Sequence, residues 1–458
     1  MKILVLGAGR VGTSVVSNLA QENYDVVVVD KNPDILRELR DRFDIATVTG
    51  NAAHPPVLGS AGADNADLIV AVTSDDETNI LACQIAHTLF QVPKKIARIR
   101  AIEYTRYPRL FGPGGLAVDV VISPEQIISD FISGLLQYPG ASQVLDFADG
   151  RVRLVSVQAV AGGPLVTHPI RELHQHMPRV HARITAIFRR GRPIVPTGDM
   201  IIEPGDEVFF VASPAEIRGV MSELRGLDRP YKRIMFAGGG HIGKRVAKTL
   251  ERRFQVKVIE KDPVRARKLA ADLDSTVVLV GDAADRDLLL NENIENIDVF
   301  CAITDDDEAN ILSAMLAKKL GARRVISLIN RPAYADLVER NLVDLVISPQ
   351  EATIGSLLRH VRRGDVVQVH SLRRGAAEAI EAVAHGCPGR SRVVGRTIER
   401  LKLPAGAVPG VIVRGKEVIQ AHHDTRIQED DHLIMFLLDK KLIPAVENLF
   451  APPVAKAA

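Results

Sequence analysis

The sequence predicts an α/β protein: two doubly wound parallel-sheet domains, each followed by a small α+β domain, in tandem duplication. Three observations predict it. Short apolar runs alternate with segments of helical periodicity. Two glycine-rich turns, GAGRVG at Gly7–Gly12 and GGGHIG at Gly238–Gly243, each follow such a run at an offset of 231 (238 − 7). The 458 residues are also too many for one domain at roughly 100–200 residues each.

The elements follow in order. Lys2–Leu6 is an apolar strand ending in glycine, and Val11–Gln21 has helical periodicity. Val26–Val29 is a second buried strand and Leu36–Phe43 a second helix. Ala46–Thr49 and Leu68–Val72 are further strands, Glu77–Leu89 is a helix, and Ile96–Arg100 and Val118–Ile122 close the series. Uniformly apolar strands between helices imply a parallel sheet covered on both faces. From about Gln143 to Leu224 short strands take over: Val152–Val157, Ile184–Arg189 and Glu207–Ala212. Arg189-Arg190-Gly191-Arg192 reads as a hairpin tip and Pro204-Gly205-Asp206 as a turn into the last strand. Arg414-Gly415-Lys416 and Asp430-Asp431 take those parts in the second copy.

The duplication extends well beyond the glycines. Gly50-Asn51-Ala52-Ala53 answers Gly281-Asp282-Ala283-Ala284, and Thr73–Leu81 answers Thr304–Leu312. Ile122-Ser123-Pro124 answers Ile347-Ser348-Pro349 at an offset of 225 (347 − 122). An ordered series of matches marks a repeat, where one motif would not. The expected domains are 1–137, 143–226, 231–361 and 365–450, with Leu227–Lys232 as the linker between halves.

Composition excludes several classes. With 58 basic and 56 acidic residues the net charge is +2, which argues against a strongly basic nucleic-acid binder. Aromatic residues are 4% and tryptophan is absent, so stacking on single strands is disfavoured. No apolar run approaches the ~18 residues of a membrane span, and the amino terminus does not read as a signal peptide. Three scattered cysteines give neither a disulfide framework nor a zinc pattern and suit a reducing compartment.

The glycine turns carry the chemistry, in a Rossmann-type context. Gly7 permits the tight turn, Gly9 lets a pyrophosphate approach the backbone, and Gly12 lets helix and strand pack. The amino end of the following helix, around Arg10 and Val11 at the loop's close, presents N–H groups to the phosphate, with Ala8 within the loop. Asp30, 23 residues (30 − 7) after the first glycine, ends the second strand, where an acid accepts ribose hydroxyls. The second copy supplies Gly238, Gly239, Gly240, His241, Ile242 and Gly243, with Glu260 at 22 (260 − 238). Lys31 and Lys261 follow the acids and either assist a phosphate or are simply solvated. Asn51, and its counterpart Asp282, follow the third strand at the same rim.

Thr73 and Ser74, with Thr304 in the second copy, end the fourth strand, where ligands of such sheets lie; helix capping, by Ser74 or Asp75 before Glu77, is the competing role. Arg98 and Arg100 share a face of the expected fifth strand and read as a phosphate clamp, against a surface ion pair as the alternative. In the second copy Ser327 or Leu328 replaces Arg98, so that pocket should hold its ligand less strongly or hold a less charged one. The histidines of the small domains (His168, His174, His176, His181, His422 and His423) fit no metal spacing and no catalytic motif is present, which argues against a dehydrogenase; an NAD-dependent oxidoreductase, motivated by the same glycine loops, stays as the alternative function.

GAGRVG at Gly7–Gly12, AVTSDDETN at Ala71–Asn79, YKRIM at Tyr231–Met235, AITDDDEAN at Ala302–Asn310 and SLRRG at Ser371–Gly375 together resemble the TrkA-type RCK (KTN) family, along essentially the whole chain. The resemblance implies two RCK nucleotide-binding domains, each followed by an RCK-C domain. It implies a cytoplasmic regulatory subunit, not an enzyme, assembled as a tetrameric ring beneath a TrkH- or TrkG-type potassium-translocating membrane protein. It implies NAD(H) as ligand, with ATP and ADP as alternatives, and no metal. Family contacts carry over onto Gly7–Val11, Asp30, Thr73, Ser74 and Arg98, and onto Gly238–Ile242 and Glu260.

Overall fold

The computed structural model describes every residue except 21–23, 113, 179, 227, 339–341, 362–364, 373–376 and 452–458. Part of the SLRRG stretch and Leu227 of the expected linker therefore lie outside the described residues.

The first repeat opens with β1 (Lys2–Leu6), α1 (Arg10–Ala20), β2 (Asp25–Asp30), α2 (Pro33–Arg42), β3 (Ala46–Thr49) and α3 (Pro55–Ser60). It continues with β4 (Leu68–Ala71), α4 (Asp76–Phe90), β5 (Lys94–Arg98), α5 (Ile102–Thr105), β6 (Val120–Ile122) and α6 (Pro124–Gln137). The strands form one sheet in the order β3-β2-β1-β4-β5-β6, all neighbours parallel. The order reverses between β1 and β4, which opens a crevice at the strand carboxyl ends. β4 is buried along its whole length, as a strand covered on both faces must be. Local signals fix the helix starts. Asn32 caps α2 with Pro33 in its first turn, and Asp75 caps α4 by accepting from Thr78 N at 2.8 Å.

The small sheet that follows holds β7 (Ala141–Phe147), β8 (Val152–Gln158), β9 (Arg183–Arg189), β10 (Arg192–Ile194) and β11 (Glu207–Ala212), with α7 (Leu173–His176) and α8 (Ile217–Arg225). Its order is β10-β9-β11-β8-β7 and its pairs are antiparallel. The expected hairpin tip is present: Arg190 (φ 51) and Gly191 (φ 80) join β9 to β10. Two positive φ values in a two-residue loop match the twist of the flanking strands.

The second repeat copies the plan with β12 (Arg233–Ala237), α9 (His241–Leu250), β13 (Gln255–Glu260), α10 (Pro263–Asp272), β14 (Val277–Val280) and α11 (Arg286–Asn291). Then come β15 (Val299–Ala302), α12 (Asp307–Lys319), β16 (Arg324–Leu328), α13 (Pro332–Leu337), β17 (Leu345–Ile347) and α14 (Pro349–Val361). Its sheet order, β14-β13-β12-β15-β16-β17, reproduces the first. The last sheet contains β18 (Val366–Leu372), β19 (Ala377–Ala384), β20 (Ala407–Arg414), β21 (Glu417–Gln420) and β22 (Asp431–Leu437), ordered β18-β19-β22-β20-β21, before α15 (Ile443–Phe450).

Two compact units result. One comprises Met1–Ile127 with Pro349–Leu357, the other Ile128–Ser348 with Leu358–Ala458. The start of α14 thus packs with the first parallel sheet although it follows the second in sequence. There Gln350 Oε1 lies 3.1 Å from Ser14 Oγ on α1. In the other unit the two antiparallel sheets share one core. Phe209 stacks edge-on against Phe188 (5.5 Å between centroids) and Phe436 (5.2 Å), and all three are buried. The linker between repeats is anchored: Asp228 pairs with Arg225 at 2.7 Å, and the Arg323 guanidinium lies over the Tyr231 ring at 5.2 Å. Among the described residues no helix is long and apolar enough to cross a membrane.

Candidate functional site

The two glycine turns are near copies. Gly7 sits at φ +104 and Gly238 at φ +111, a region that favours glycine, so the chain turns sharply off the strand. A Cβ on Gly12 would fall 1.9 Å from Gly7 O, and one on Gly243 would fall 2.0 Å from Gly238 O. The third glycine of each motif is therefore demanded by helix–turn contact. The second is not: a Cβ on Gly9 or Gly240 meets nothing within 4 Å. The backbone faces open space there, beside the amino ends of α1 and α9, neither of which has an acidic residue in its first turn. Unpaired N–H groups and the positive end of the helix dipole thus converge on one spot in each repeat.

The acids hold these loops in shape. Asp30 Oδ2 accepts from Ala8 N at 2.6 Å and Oδ1 from Asn32 N at 2.8 Å. Glu260 Oε2 accepts from Gly239 N at 2.9 Å and Oε1 from Asp262 N at 2.9 Å. The longer acid fits because the loop is smaller. A Cβ on Gly239 would lie 3.0 Å from Glu260 Oε2 and 2.7 Å from the Leu269 side chain, whereas the first repeat pairs the shorter Asp30 with Ala8. Each carboxylate keeps lone pairs for hydroxyl donors at the sheet's carboxyl edge. Asn51 Oδ1 accepts from Ala53 N (3.1 Å), and Asp282 Oδ1 from Ala284 N (2.9 Å), fixing the next loop of each rim. Lys31 is exposed, while Lys261 pairs with Asp282 at 3.0 Å.

Sequence reasoning missed the residues that tie β4 to β5. Asn79 is fully buried. Its Oδ1 accepts from Thr73 N (2.9 Å) and Thr73 Oγ1 (2.7 Å), while its Nδ2 donates to Arg98 O (2.9 Å) and Thr73 O (3.3 Å). Asn310 does the same for Thr304 and Leu328 O. Asp76 Oδ2 then accepts from Arg100 N and Ala101 N, both at 2.8 Å, and Asp307 accepts from the equivalent Asn330 N through Oδ1 (2.8 Å) and Arg331 N through Oδ2 (2.9 Å). The signal was available: a polar residue in an apolar helix turn, at the same place in both copies. Thr73 Oγ1 is thus engaged internally, and the helix cap is Asp75 rather than Ser74.

The expected clamp takes another form. β5 ends at Arg98, so Arg100 lies past the strand and the two do not alternate along it. Arg100 Nη2 donates to Ser74 O, and its Nε lies 3.8 Å from Asp76. Arg98, with its side chain 18% exposed, has Nη2 3.8 Å from Glu125 Oε1. Burial works against the Arg98 charge and the Glu125 carboxylate supports it. The hydrogen bonds also settle the second copy. Leu328, not Ser327, stands at the position of Arg98, and Asn330 at that of Arg100.

Reactive groups lie elsewhere. The buried Cys83 and Cys301 thiols are pushed up to about 12 by burial, which removes them as nucleophiles. His168 pairs with Glu172 (3.0 Å), His176 with Glu223 (2.8 Å), and His174 stacks on His422 at 6.5 Å. Among the described residues no group of three His, Cys, Asp or Glu could hold a metal ion.

Comparison with known proteins gives the following. The family model described as the TrkA-N domain matches residues 3–124 and 234–349, and that described as the TrkA-C domain matches 154–225 and 390–450. The Trk system potassium uptake protein TrkA of Vibrio alginolyticus is 55% identical over 453 residues, 99% of each chain. Its counterparts in Halomonas elongata (54% over 450 residues, 98% of each chain) and Haemophilus influenzae (47% over 453 residues, 99% of each chain) are also similar. Among solved structures, the GsuK RCK domain is similar at a TM-score of 0.62 and 20% identity, covering 98% of this chain and 94% of that one. The GsuK channel bound to NAD has a TM-score of 0.62 at 19% identity, covering 98% and 78%. At such identities the likeness is one of fold.

Proposed function

The chain belongs to the TrkA family, and from that premise we propose that it is the nucleotide-sensing regulatory subunit of a Trk potassium uptake system, with the two glycine cradles as its sensors. The relatives are named as potassium uptake proteins of the Trk system, a regulatory role without turnover, and none of the similar proteins supports the oxidoreductase alternative. The observation that carries the sensing role is the duplicated open space beside Gly9 and Gly240, each framed by a helix amino end and a loop-bound acid.

In this reading a dinucleotide's phosphates lie over Gly7–Gly12, with the N–H groups of Arg10 and Val11 as donors. Asp30 takes ribose hydroxyls, Thr73 and Ser74 border the ligand from the loop after β4, and Arg98 supplies charge. Gly238–Gly243, Glu260, Asp282 and Thr304 are the second set, with Asn51 and Lys31 at the first rim. NAD(H) is the proposed ligand and ATP or ADP the alternatives; the similar GsuK channel has been seen bound to NAD. The ligand bridges loops from several strands, so a change in their spacing changes its affinity, and that difference drives the switch. A coupling of about 1–3 kcal/mol is the usual scale. A TrkH- or TrkG-type translocating protein is the proposed partner, with a homotetramer at the cytoplasmic face of the membrane as the working form.

Calorimetric titration with NAD+, NADH, ADP and ATP, paired with potassium flux through the reconstituted partner, tests this. Binding that is abolished, together with the flux response, in a Gly9→Glu/Gly240→Glu variant is the expected result. A flux response to nucleotide that survives in that variant refutes it.

A further inference from the structure

The two cradles share a backbone plan but not a charge. Position by position along the carboxyl edge, the second is more negative. Leu328 stands where Arg98 does, each being the carbonyl that the buried asparagine binds. Asn330 stands for Arg100, each backbone N–H being held by the buried aspartate that follows the cap. Asp282 replaces Asn51 with the same bond to the backbone two residues on. Asp305 replaces Ser74 between the strand-end threonine and the helix cap, and His241 replaces Arg10 as the first helical residue.

The positive groups present in the second cradle are neutralised. Lys261 pairs with Asp282 at 3.0 Å, Arg265 with Glu260 at 3.6 Å, and Arg331 with Glu308 at 3.2 Å. In the first cradle Arg98 and Arg100 lie 3.8 Å from Glu125 and Asp76, while Arg10 and Lys31 are exposed and form no ion pair among the described residues. The second rim is also firmly ionised: backbone hydrogen bonds hold the Asp282 and Asp306 carboxyls below the usual range.

Resting on the nucleotide-sensing reading above, we infer that the cradles are charge-selective. The first takes polyanionic nucleotides. The second takes an adenosine ligand of low net charge and excludes free di- and triphosphates, because each added phosphate charge meets a rim that has lost the arginines at three positions and gained carboxylates at two others. Such repulsion between exposed charges is modest per pair and screened by salt, so it sums over several positions and is read best at low ionic strength. One chain can then sense two ligands independently.

The test uses the full chain in low-salt buffer without divalent cations. Gly240→Glu leaves only the first cradle to read, and Gly9→Glu only the second; both substitutions enter open space, so the fold is kept. Affinities are measured in order of growing negative charge: NAD+, NADH, ADP, ATP. The preference for the first cradle over the second should widen along that series, reaching roughly tenfold or more for ADP. Adding Asp282→Asn/Asp305→Ser, both exposed positions, to the Gly9→Glu chain should narrow it. Equal affinities at the two cradles, or a ratio flat along the series, overturn the selectivity while leaving nucleotide sensing intact. If the unsubstituted chain binds none of the four, the sensing role fails and the selectivity with it.

Discussion

Replacing Asn79 by aspartate isolates the tie between β4 and β5 with almost no change of shape. Two of its four hydrogen bonds are accepted by Oδ1, from Thr73 N and Thr73 Oγ1, and survive. The other two are donated by Nδ2, at 2.9 Å to Arg98 O and 3.3 Å to Thr73 O, and an ionised aspartate would set an acceptor against both carbonyls. A buried group left unsatisfied costs about 1–3 kcal/mol, and the site is fully buried. At neutral pH the loss should be about 2–5 kcal/mol. Protonation restores one donor, so at acid pH the loss should fall to about 1 kcal/mol. The sign follows from linkage. The folded chain raises the pKa of this carboxyl, so it holds a proton that the unfolded chain releases. Stability relative to the parent is therefore best below the ordinary aspartate pKa of about 3.9 and declines as pH rises through the raised value. Hydrogen exchange of peptides spanning β4 and β5, read against the parent at acid and neutral pH, measures the local opening energy. A pH-independent difference, or one below about 0.5 kcal/mol, refutes the account. Asn310→Asp should repeat the result in the second repeat, whose bonds are the same.

Gly12→Ala should destabilise the first parallel-sheet domain by about 1–3 kcal/mol or more, because its Cβ would lie 1.9 Å from Gly7 O; Gly9→Ala should leave thermal unfolding unchanged, and equal melting shifts would contradict the packing role. Arg98→Leu/Glu125→Gln gives the first repeat the residues that occupy those positions in the second, Leu328 and Gln350. ADP affinity at the first cradle should weaken by about 1–3 kcal/mol, and unchanged calorimetric affinity would remove Arg98 from the site. Glu351, on α14, has its carboxyl pushed up to about 7 by burial. Its stabilising contribution is present below the ordinary value of 4.5 and lost as pH rises through about 7. Glu351→Gln should therefore gain on the parent across that window, by about 3 kcal/mol at most. Urea unfolding at several pH values checks this, and parallel stability curves would exclude it.

What could be read from the sequence was what depends on neighbours in the chain. The repeat, the alternation of strand and helix, and the glycine turns are set by apolar periodicity and by backbone conformations only glycine adopts freely. The turns at Arg190-Gly191 and Asp430-Asp431 are local too, with positive φ at Arg190, Gly191 and Asp430. The roles of Gly7 and Gly12 in turn and packing needed no three-dimensional information, since strand, turn and helix are contiguous there. Helix α6, placed within the first expected domain but not separately drawn, and β7 were harder to see because their apolar residues serve a core formed later in the chain.

Tertiary structure decided what depends on partners far along the chain. It made Leu328 the counterpart of Arg98, because the equivalence rests on which carbonyl a buried asparagine 18 or 19 residues away binds. It set Arg100 as a brace on Ser74 O, a contact that spacing along the chain does not show. It joined the two small sheets through Phe188, Phe209 and Phe436, and packed the start of α14 with the first parallel sheet. A sequence states which residues can bury or bond; which of several chemically equal partners they take is fixed only when the cores close, since burial and hydrogen-bond geometry are properties of the folded neighbourhood.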